Sequence, residues 1–318
     1  MIVYRFGSED LLRTRFAVSP LFEVQASVVV LRDPGAHSVH LPWVRAARER
    51  LSGFDWSMLD ALIPDRGYAP DFSAPPPRTP LPDVAEELER VRATDPARVR
   101  QELAWRFEGS EPPPVVRELV DDPERGVHAL VDEIAGYWER ALAPSWERIS
   151  ALLEADIRHR ARRLTEGGAL ELFAGLHPDV SWRDGALLVD RPHEVEVALA
   201  GRGLQLVPAA FGWPGVGAMY DPPWQPALIY SPRGVGDLWA PVQDSGALAG
   251  LLGGRRARIL AGLDAEASTS DLSRRLSASP AGISEHLGVL RRAGLVRSRR
   301  EGRSVLYSRT ATGDALVG

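Results

Sequence analysis

The segment between residues 268 and 309 constrains the fold of this chain most strongly, because helix-start and turn signals follow one another there at close intervals. Ser268 and Asp271 form a capping box, in which each side chain accepts a free backbone N–H of the other residue. Residues 277–279 (Ser-Ala-Ser) predict a turn, and Pro280 then occupies a first helical position, where its missing N–H costs nothing. The pattern predicts two short helices separated by a tight turn.

The second of these helices has two chemically distinct faces. Ile283, Leu287 and Leu290 recur at intervals of four and three, so they predict a face that packs on the first helix. The opposite face and its borders carry small, polar and charged residues: Ala281, Ser284, Glu285, Gly288, Arg291 and Arg292. Such a helix fits the major groove of DNA, with its first turns at base edges and its arginines at phosphates.

Two extended runs follow this helix, residues 295–300 and residues 304–309. Residues 301–303 (Glu-Gly-Arg) join them and predict the turn of a β-hairpin. The tip of this hairpin carries three arginines: Arg299, Arg300 and Arg303. A basic hairpin beside a recognition helix is typical of a wing, which contacts the phosphate backbone or the minor groove.

Charge is distributed unevenly along the chain. From residue 255 onward there are twelve arginines and six acidic residues, a net charge of +6, whereas the whole chain carries −5. Residues 1–254 therefore carry −11. This asymmetry indicates a nucleic-acid-binding module attached to an acidic body.

Residues 272–308 resemble the ArsR/SmtB family of bacterial winged-helix regulators over about a quarter of the chain. The resemblance rests on the string S-x-H-L-x-x-L-x-x-A-G-L-V at residues 284–296, followed by R-x-G-R at residues 300–303 and by Tyr307. It implies a DNA-binding domain in which Ser279, Ser284 and His286 contact DNA, Arg291 assists, and the wing arginines grip the backbone. A packing role for His286 remains an equal alternative.

Taken together, the helix face, the wing and the resemblance predict one interface with double-stranded DNA. Its members are Ser279, Ala281, Ser284, Glu285, His286, Arg291, Arg292, Arg299, Arg300 and Arg303.

Two departures from the family limit what the resemblance implies. Metal sensors of this family use cysteines, or His and acidic ligands on a helix after the wing. This chain has no cysteine, and it ends about ten residues after the wing. We therefore expect no metal site and no cofactor. We also expect no last helix, so that any dimer is built by the first helix of the tail (residues 248–263) or by the N-terminal body.

Residues 1–240, called the body here, are predicted to form an α+β region that is mainly helical. This region is similar to the large N-terminal extensions of actinobacterial members of the family. Apolar residues spaced by three and four predict helices within residues 1–168, the last of them ended by Gly167-Gly168. Residues 179–231 predict a small sheet, with a hairpin turn at Asp184-Gly185. We expect a first domain over residues 1–240 for dimerisation and effector sensing, and a winged helix over residues 245–318, with residues 232–246 as the connection.

Other patterns in the body carry weaker signals. His37 and His40 have metal-ligand spacing, but prolines bracket them in a loop, which disfavours a metal site. No motif for a catalytic nucleophile is present. Seven aromatic residues indicate either the core of the small sheet or a pocket for an apolar effector: Trp182, Phe211, Trp213, Tyr220, Trp224, Tyr230 and Trp239.

No signal peptide or membrane-spanning run is recognisable, which predicts a cytoplasmic protein. The favoured hypothesis is a homodimeric repressor that reads an inverted repeat in DNA. An enzyme and a protein-interaction adaptor, each with a regulatory winged helix, are the alternatives.

Overall fold

The computed structural model describes residues 1–65, 67–239, 246–276, 278–301 and 304–317. The chain divides into two compact units, Met1–Trp239 and Ala240–Gly318. Both mix helices with small sheets and helices predominate, which confirms the predicted α+β class. No helix in the described ranges is long and apolar enough to cross a membrane.

The first unit contains nine α-helices among its described residues. They are α1 Ser8–Arg13, α2 Pro20–Arg32, α3 Leu41–Arg50, α4 Ser57–Leu62, α5 Val84–Arg92, α6 Pro96–Arg106, α7 Arg117–Asp121, α8 Pro123–Tyr137 and α9 Trp146–Phe173. Local signals set several of these starts. At α2, for example, Pro20 takes the first position, and the hydroxyl of Ser19 accepts the N–H of Phe22 at 3.2 Å.

The end predicted for the last of these helices is wrong. We expected it to stop at Gly167-Gly168, but α9 continues to Phe173 across a kink at Gly168, whose φ is +70°. Glycine tolerates this left-handed conformation, so the chain bends there and resumes its helix. The resumed turn buries Leu172 and Phe173 in the core beneath the first sheet.

The strands of the first unit form two four-stranded sheets. The strands are β1 Ile2–Arg5, β2 Arg15–Phe16, β3 Val180–Arg183, β4 Ala186–Val189, β5 Val195–Ala198, β6 Gln205–Pro208, β7 Val216–Met219 and β8 Ala227–Tyr230. The orders are β3-β4-β1-β5 and β2-β6-β8-β7.

This arrangement corrects the expectation of one small sheet within residues 179–231 and a mainly helical region, with no strand predicted, before it. Each sheet takes one strand from the first sixteen residues, β1 or β2. β1 lies between two strands of its sheet, antiparallel to β4 and parallel to β5. A run of two to four residues is too short to show a strand period, and its partners lie about 180 residues away, so sequence reasoning missed both strands.

Buried carboxylates tie the helices of the first unit to its loops. Glu23 on α2 accepts the N–H groups of Ala210 and Phe211 at 2.6 and 2.9 Å, which holds the segment after β6. Glu87 on α5 accepts the hydroxyl of Ser19 at 3.0 Å and a backbone N–H of α2 at 2.9 Å. Burial raises the pKa of Glu23 to about 7 and the pKa of Glu87 to about 8.

The second unit places two helices before a helix pair and a hairpin. Its elements are α10 Gly246–Leu252, α11 Gly254–Ala261, β9 Ala267–Ser268, α12 Thr269–Arg275, α13 Pro280–Arg292, β10 Val296–Glu301, β11 Ser304–Arg309 and α14 Ala311–Val317. Ile283, Leu287 and Leu290 of α13 are buried against Ile259, Leu260 and Leu272, as the spacing predicted.

Two expectations for the second unit are wrong. The single helix expected over residues 248–263 is two helices, because Gly253 takes a φ of +82° between them. A helix does follow the wing, namely α14, which packs closely on the start of the hairpin. A Cβ at Gly313 would lie 2.1 Å from the carbonyl oxygen of Leu295, so only glycine allows this approach.

Candidate nucleic-acid interface

Side-chain caps fix the starts of both central helices of the second unit. At α12, Ser268 Oγ accepts the N–H of Asp271 at 3.2 Å, and Asp271 Oδ2 accepts the N–H of Ser268 at 3.0 Å. Hydrogen bonds from Ser268 and from Arg274 lower the pKa of Asp271 to about 2, so this cap is ionised at neutral pH. At α13, Ser279 Oγ accepts the N–H of Gly282 at 3.2 Å.

The outer face of α13 is accessible along its length. Ala281, Ser284 and Glu285 are exposed in its first turns, and Arg291 and Arg292 are exposed in its last turn. Small and hydroxyl-bearing side chains allow close approach to base edges, whereas the guanidinium groups can form charge-assisted hydrogen bonds with phosphates. The predicted helix residues therefore share one solvent-facing surface.

Ser279 and His286 occupy a different position, in a cleft at the start of α13. The cleft has a volume of about 350 Å³ and brings them together with Arg255 and Arg258 of α11. Its remaining lining comes from Ile259, Leu276, Ala278, Gly282 and Ile283. Two guanidinium groups beside a helix N-terminus make this cleft electropositive and suited to an anion such as a phosphate.

Sequence reasoning missed Arg255 and Arg258 as interface residues. They were counted as basic residues, but the helix that carries them was interpreted as a candidate dimer element and not as part of the DNA interface. The available signal was their spacing of three, which places both on one helical face. Ala257, Ile259 and Leu260 of the same helix are buried, whereas both arginines are exposed.

The wing is a regular antiparallel pair in which Arg299 lies opposite Leu306 and Arg300 lies opposite Val305. Arg300 is exposed, and Arg299 is half-exposed and holds Glu266 in an ion pair at 2.6 Å. Arg303, the third predicted wing residue, lies outside the described residues. The described part of the wing therefore presents two arginines on adjacent positions of β10.

The arginines of the second unit differ in the contacts that they make within it. Arg309 is structural, because it donates to carbonyl oxygens of α11 and pairs with Asp314 at 2.8 Å. Arg291 joins the recognition helix to the wing, since its Nη1 donates to Ser298 Oγ at 3.3 Å. Arg255, Arg258 and Arg292 are among the arginines of this unit that form no ion pair with a described residue.

His37 and His40, the two histidines with metal-ligand spacing, lie in different surroundings and make different contacts. His40 is buried, stacks on Phe211 at 4.6 Å, and accepts the indole N–H of Trp239 on Nδ1 at 2.9 Å. Burial lowers the pKa of His40 to about 4, so it is neutral. His37 instead contacts the carbonyl oxygen of Asp33. Within the ranges that the structure covers, no three His, Asp or Glu side chains converge as metal ligands.

The seven aromatic residues of the body belong to two separate cores. Trp182, Tyr220 and Tyr230 pack in the core that also holds Leu172 and Phe173 and to which both sheets contribute, and the other four pack with the helices. Phe211 and Tyr230 also line a cavity of the first unit. Both interpretations of this cluster therefore retain structural support.

Comparison with known proteins finds separate family matches in the two parts of the chain. Residues 95–234 match a family of unknown function (DUF5937), and residues 255–299 match a helix-turn-helix domain family (HTH_20). The transcriptional activator HlyU of Vibrio cholerae serotype O1 is 46% identical over 59 residues, which are 18% of this chain and 55% of that protein. The chain thus spans about half the length of this relative.

A solved structure is similar in sequence to the same region. Reduced HlyU from Vibrio cholerae N16961 is 35% identical, with 23% of this chain and 81% of that chain covered and a TM-score of 0.21.

Proposed function

We propose that this chain, whose C-terminal unit is a winged helix-turn-helix domain of the ArsR type, is a sequence-specific DNA-binding transcriptional regulator. The observation that carries the proposal is the division of α13 into a buried apolar face and an accessible face that ends in two arginines. The matched HTH family and the relative titled a transcriptional activator support the same function.

Each group of residues then has its own role at the DNA. Ala281, Ser284 and Glu285 read base edges in the major groove, and Arg291 and Arg292 bind phosphates beside it. The cleft formed by Ser279, His286, Arg255 and Arg258 receives a further phosphate at the helix N-terminus. The wing arginines Arg299, Arg300 and Arg303 track the backbone or enter the minor groove.

The regulator acts as a homodimer on an inverted repeat, so that two equal recognition helices read half-sites about one helical turn apart. The first unit supplies dimerisation and effector sensing, and its charge of −10 over residues 1–239 keeps it away from DNA. Bound at a promoter in the cytoplasm, where bacterial DNA lies, the dimer represses by excluding the polymerase.

A gel-shift assay of the full chain, with the DNA that flanks its own gene, tests this function. We expect a retained complex and a DNase footprint of two-fold symmetry. Removal of the chain should raise expression from a reporter that carries this DNA. A single unsymmetrical site, or no retention of any such fragment, would contradict the proposal.

A variant with Arg299, Arg300 and Arg303 all replaced by Ala separates DNA binding from the adaptor alternative. DNA binding should weaken for every sequence and depend less on salt, because backbone contacts carry no sequence information. A matched control replaces the exposed Arg45 and Arg50 of the first unit with Ala and should bind as the wild type does. Unchanged regulation in the wing variant would favour the adaptor.

A further inference from the structure

The first unit contains a cavity of about 360 Å³ that none of the roles assigned above uses. It lies between α2, the segment around residues 63–71, and the paired strands β7 and β8. Its apolar walls include Phe22, Val29, Ile63, Phe211, Met219 and Ile229. This size and lining are typical of sites that enclose a small organic molecule.

One carboxyl group interrupts the apolar lining. Asp71 lines the cavity together with the polar side chains of Gln25, His37 and Tyr68. Among the described lining residues, Asp71 is the one acid and none is an arginine. The chain contains no lysine, so the lining offers Asp71 no permanently charged cation among the described residues, and His37 is the one lining side chain that can become cationic.

The surroundings of Asp71 disfavour its ionised form, although Arg98 and Tyr68 favour that form in part. Its carboxyl group is hydrogen-bonded by the Tyr68 hydroxyl, which also accepts the Asp71 N–H at 3.4 Å. The nearest guanidinium group, that of Arg98, is engaged by the buried Glu102 in an ion pair. No ion pair of Asp71 with a described residue is present.

Burial is therefore the main reason that the pKa of Asp71 is raised to about 8, and the negative charges of Glu102 and Asp221 add to this effect. A bound cation would reverse this situation, because it would favour the ionised carboxylate. The aromatic side chains of Tyr68, Phe211 and Tyr230 also line the cavity, where they add apolar surface.

We propose that this cavity binds a mostly apolar small molecule that carries one cationic nitrogen, with the nitrogen at Asp71 and the apolar part against α2 and β8. Such a hydrophobic amine would be the effector that the first unit senses. Its effector role rests on the proposed function, whereas binding itself does not.

Isothermal titration calorimetry on the full chain at constant pH tests the site by measuring the affinities of three probes. The probes have the same shape and differ in charge. They are 4-phenylbutylamine, 4-phenylbutanol and 4-phenylbutyrate. We expect the amine to bind about tenfold or more tighter than the alcohol, because a charge-assisted hydrogen bond replaces a neutral one, and the acid to bind most weakly. Equal affinities, preference for the acid, or no binding of any probe would overturn the proposal.

Two substitutions locate the binding. Asp71→Asn should remove the preference for the amine while the alcohol still binds, and Ala26→Phe should abolish binding of all probes, since Ala26 lines the cavity. The matched control Asp65→Asn changes an exposed carboxylate of the same segment that does not line the cavity, and should keep the preference. Retained amine preference in Asp71→Asn, or binding in Ala26→Phe, would refute the assignment.

A gel shift with the amine present separates this inference from the proposed function. A change in DNA affinity that Asp71→Asn abolishes supports the effector role. Amine binding with unchanged DNA affinity refutes that role, and amine binding by a chain that binds no DNA refutes the proposed function while the cavity assignment stands.

Discussion

At the scale of single residues, the first unit depends on ionisable groups held away from water. Glu23 and Glu87 satisfy backbone N–H groups that would otherwise be buried without partners, and His40 does the same for an indole N–H. Each of these groups prefers its neutral form in the fold, as burial disfavours the charge. The pH dependence of stability should therefore report on them.

The stability of the first unit should fall as pH rises from about 6.5 to about 8. The folded pKa values of Glu23 and Glu87 lie near 7 and 8, above the unfolded value of 4.5, so the folded state holds protons that the unfolded state has released. His40 adds little in this window, because its stabilisation is lost only below its unfolded pKa of 6.5.

Urea unfolding followed by tryptophan fluorescence measures this dependence selectively, because all nine tryptophans lie within residues 43–239. Glu87→Gln cannot ionise, so the free energy of unfolding of this variant should fall less steeply over the same pH range. An equal slope in the two proteins would contradict the assignment of this titration to Glu87.

Gly313→Ala should destabilise the second unit by about 2 kcal/mol or more, since the added Cβ would overlap the carbonyl oxygen of Leu295 and force α14 away. Gly250→Ala is the matched control, because it is also a helical glycine but has no heavy atom within 4 Å of the added Cβ. That variant should gain up to about 1 kcal/mol from helix propensity. Thermal unfolding followed by circular dichroism distinguishes the two.

At the scale of elements, capping and spacing defined α12 and α13 from sequence, because both are local properties that repeat within four residues. The sequence did not predict the elements that are stabilised by contacts with residues far away along the chain. β1 and β2 pair with strands far along the chain, and α14 is held through the close contact of Gly313. The cleft between α11 and α13 was missed for the same reason.

The cleft and the outer face of α13 should have different effects on DNA binding. Replacing Arg255 and Arg258 with Ala should weaken binding to all sequences and reduce the slope of log K against log salt by about two. Ser284→Ala should instead lower the ratio of specific to non-specific affinity, with little change in salt dependence. Gel shifts at several salt concentrations measure both, and identical behaviour of the two variants would contradict this division.

At the scale of the whole molecule, the chain joins two units that have separate cores and net charges of opposite sign. The distribution of arginines and acidic residues along the sequence already indicated this difference in charge. The roles assigned to the units require that one DNA-bound assembly contain two winged helices. This requirement makes the spacing of the half-sites a test of the dimer.

Inserting about five base pairs between the half-sites should reduce affinity strongly, because half a helical turn moves the second half-site to the opposite face of the DNA. An insertion of about ten base pairs returns it to the same face and should restore part of the affinity. Light scattering should give a dimer mass for the free chain. Affinity that does not depend on spacing would contradict the dimeric arrangement.

The sequence by itself determined the capping box of α12, the start of the recognition helix at Pro280, the two faces of that helix and the charge of the domain that carries it, because these follow from residues close together along the chain. Only the tertiary structure decided the two-sheet arrangement of the first unit, the position of Arg255 and Arg258 beside Ser279, and the cavity around Asp71. These features join residues separated by tens to hundreds of positions. Their contacts depend on how the chain closes on itself, for which no local periodicity carries a signal.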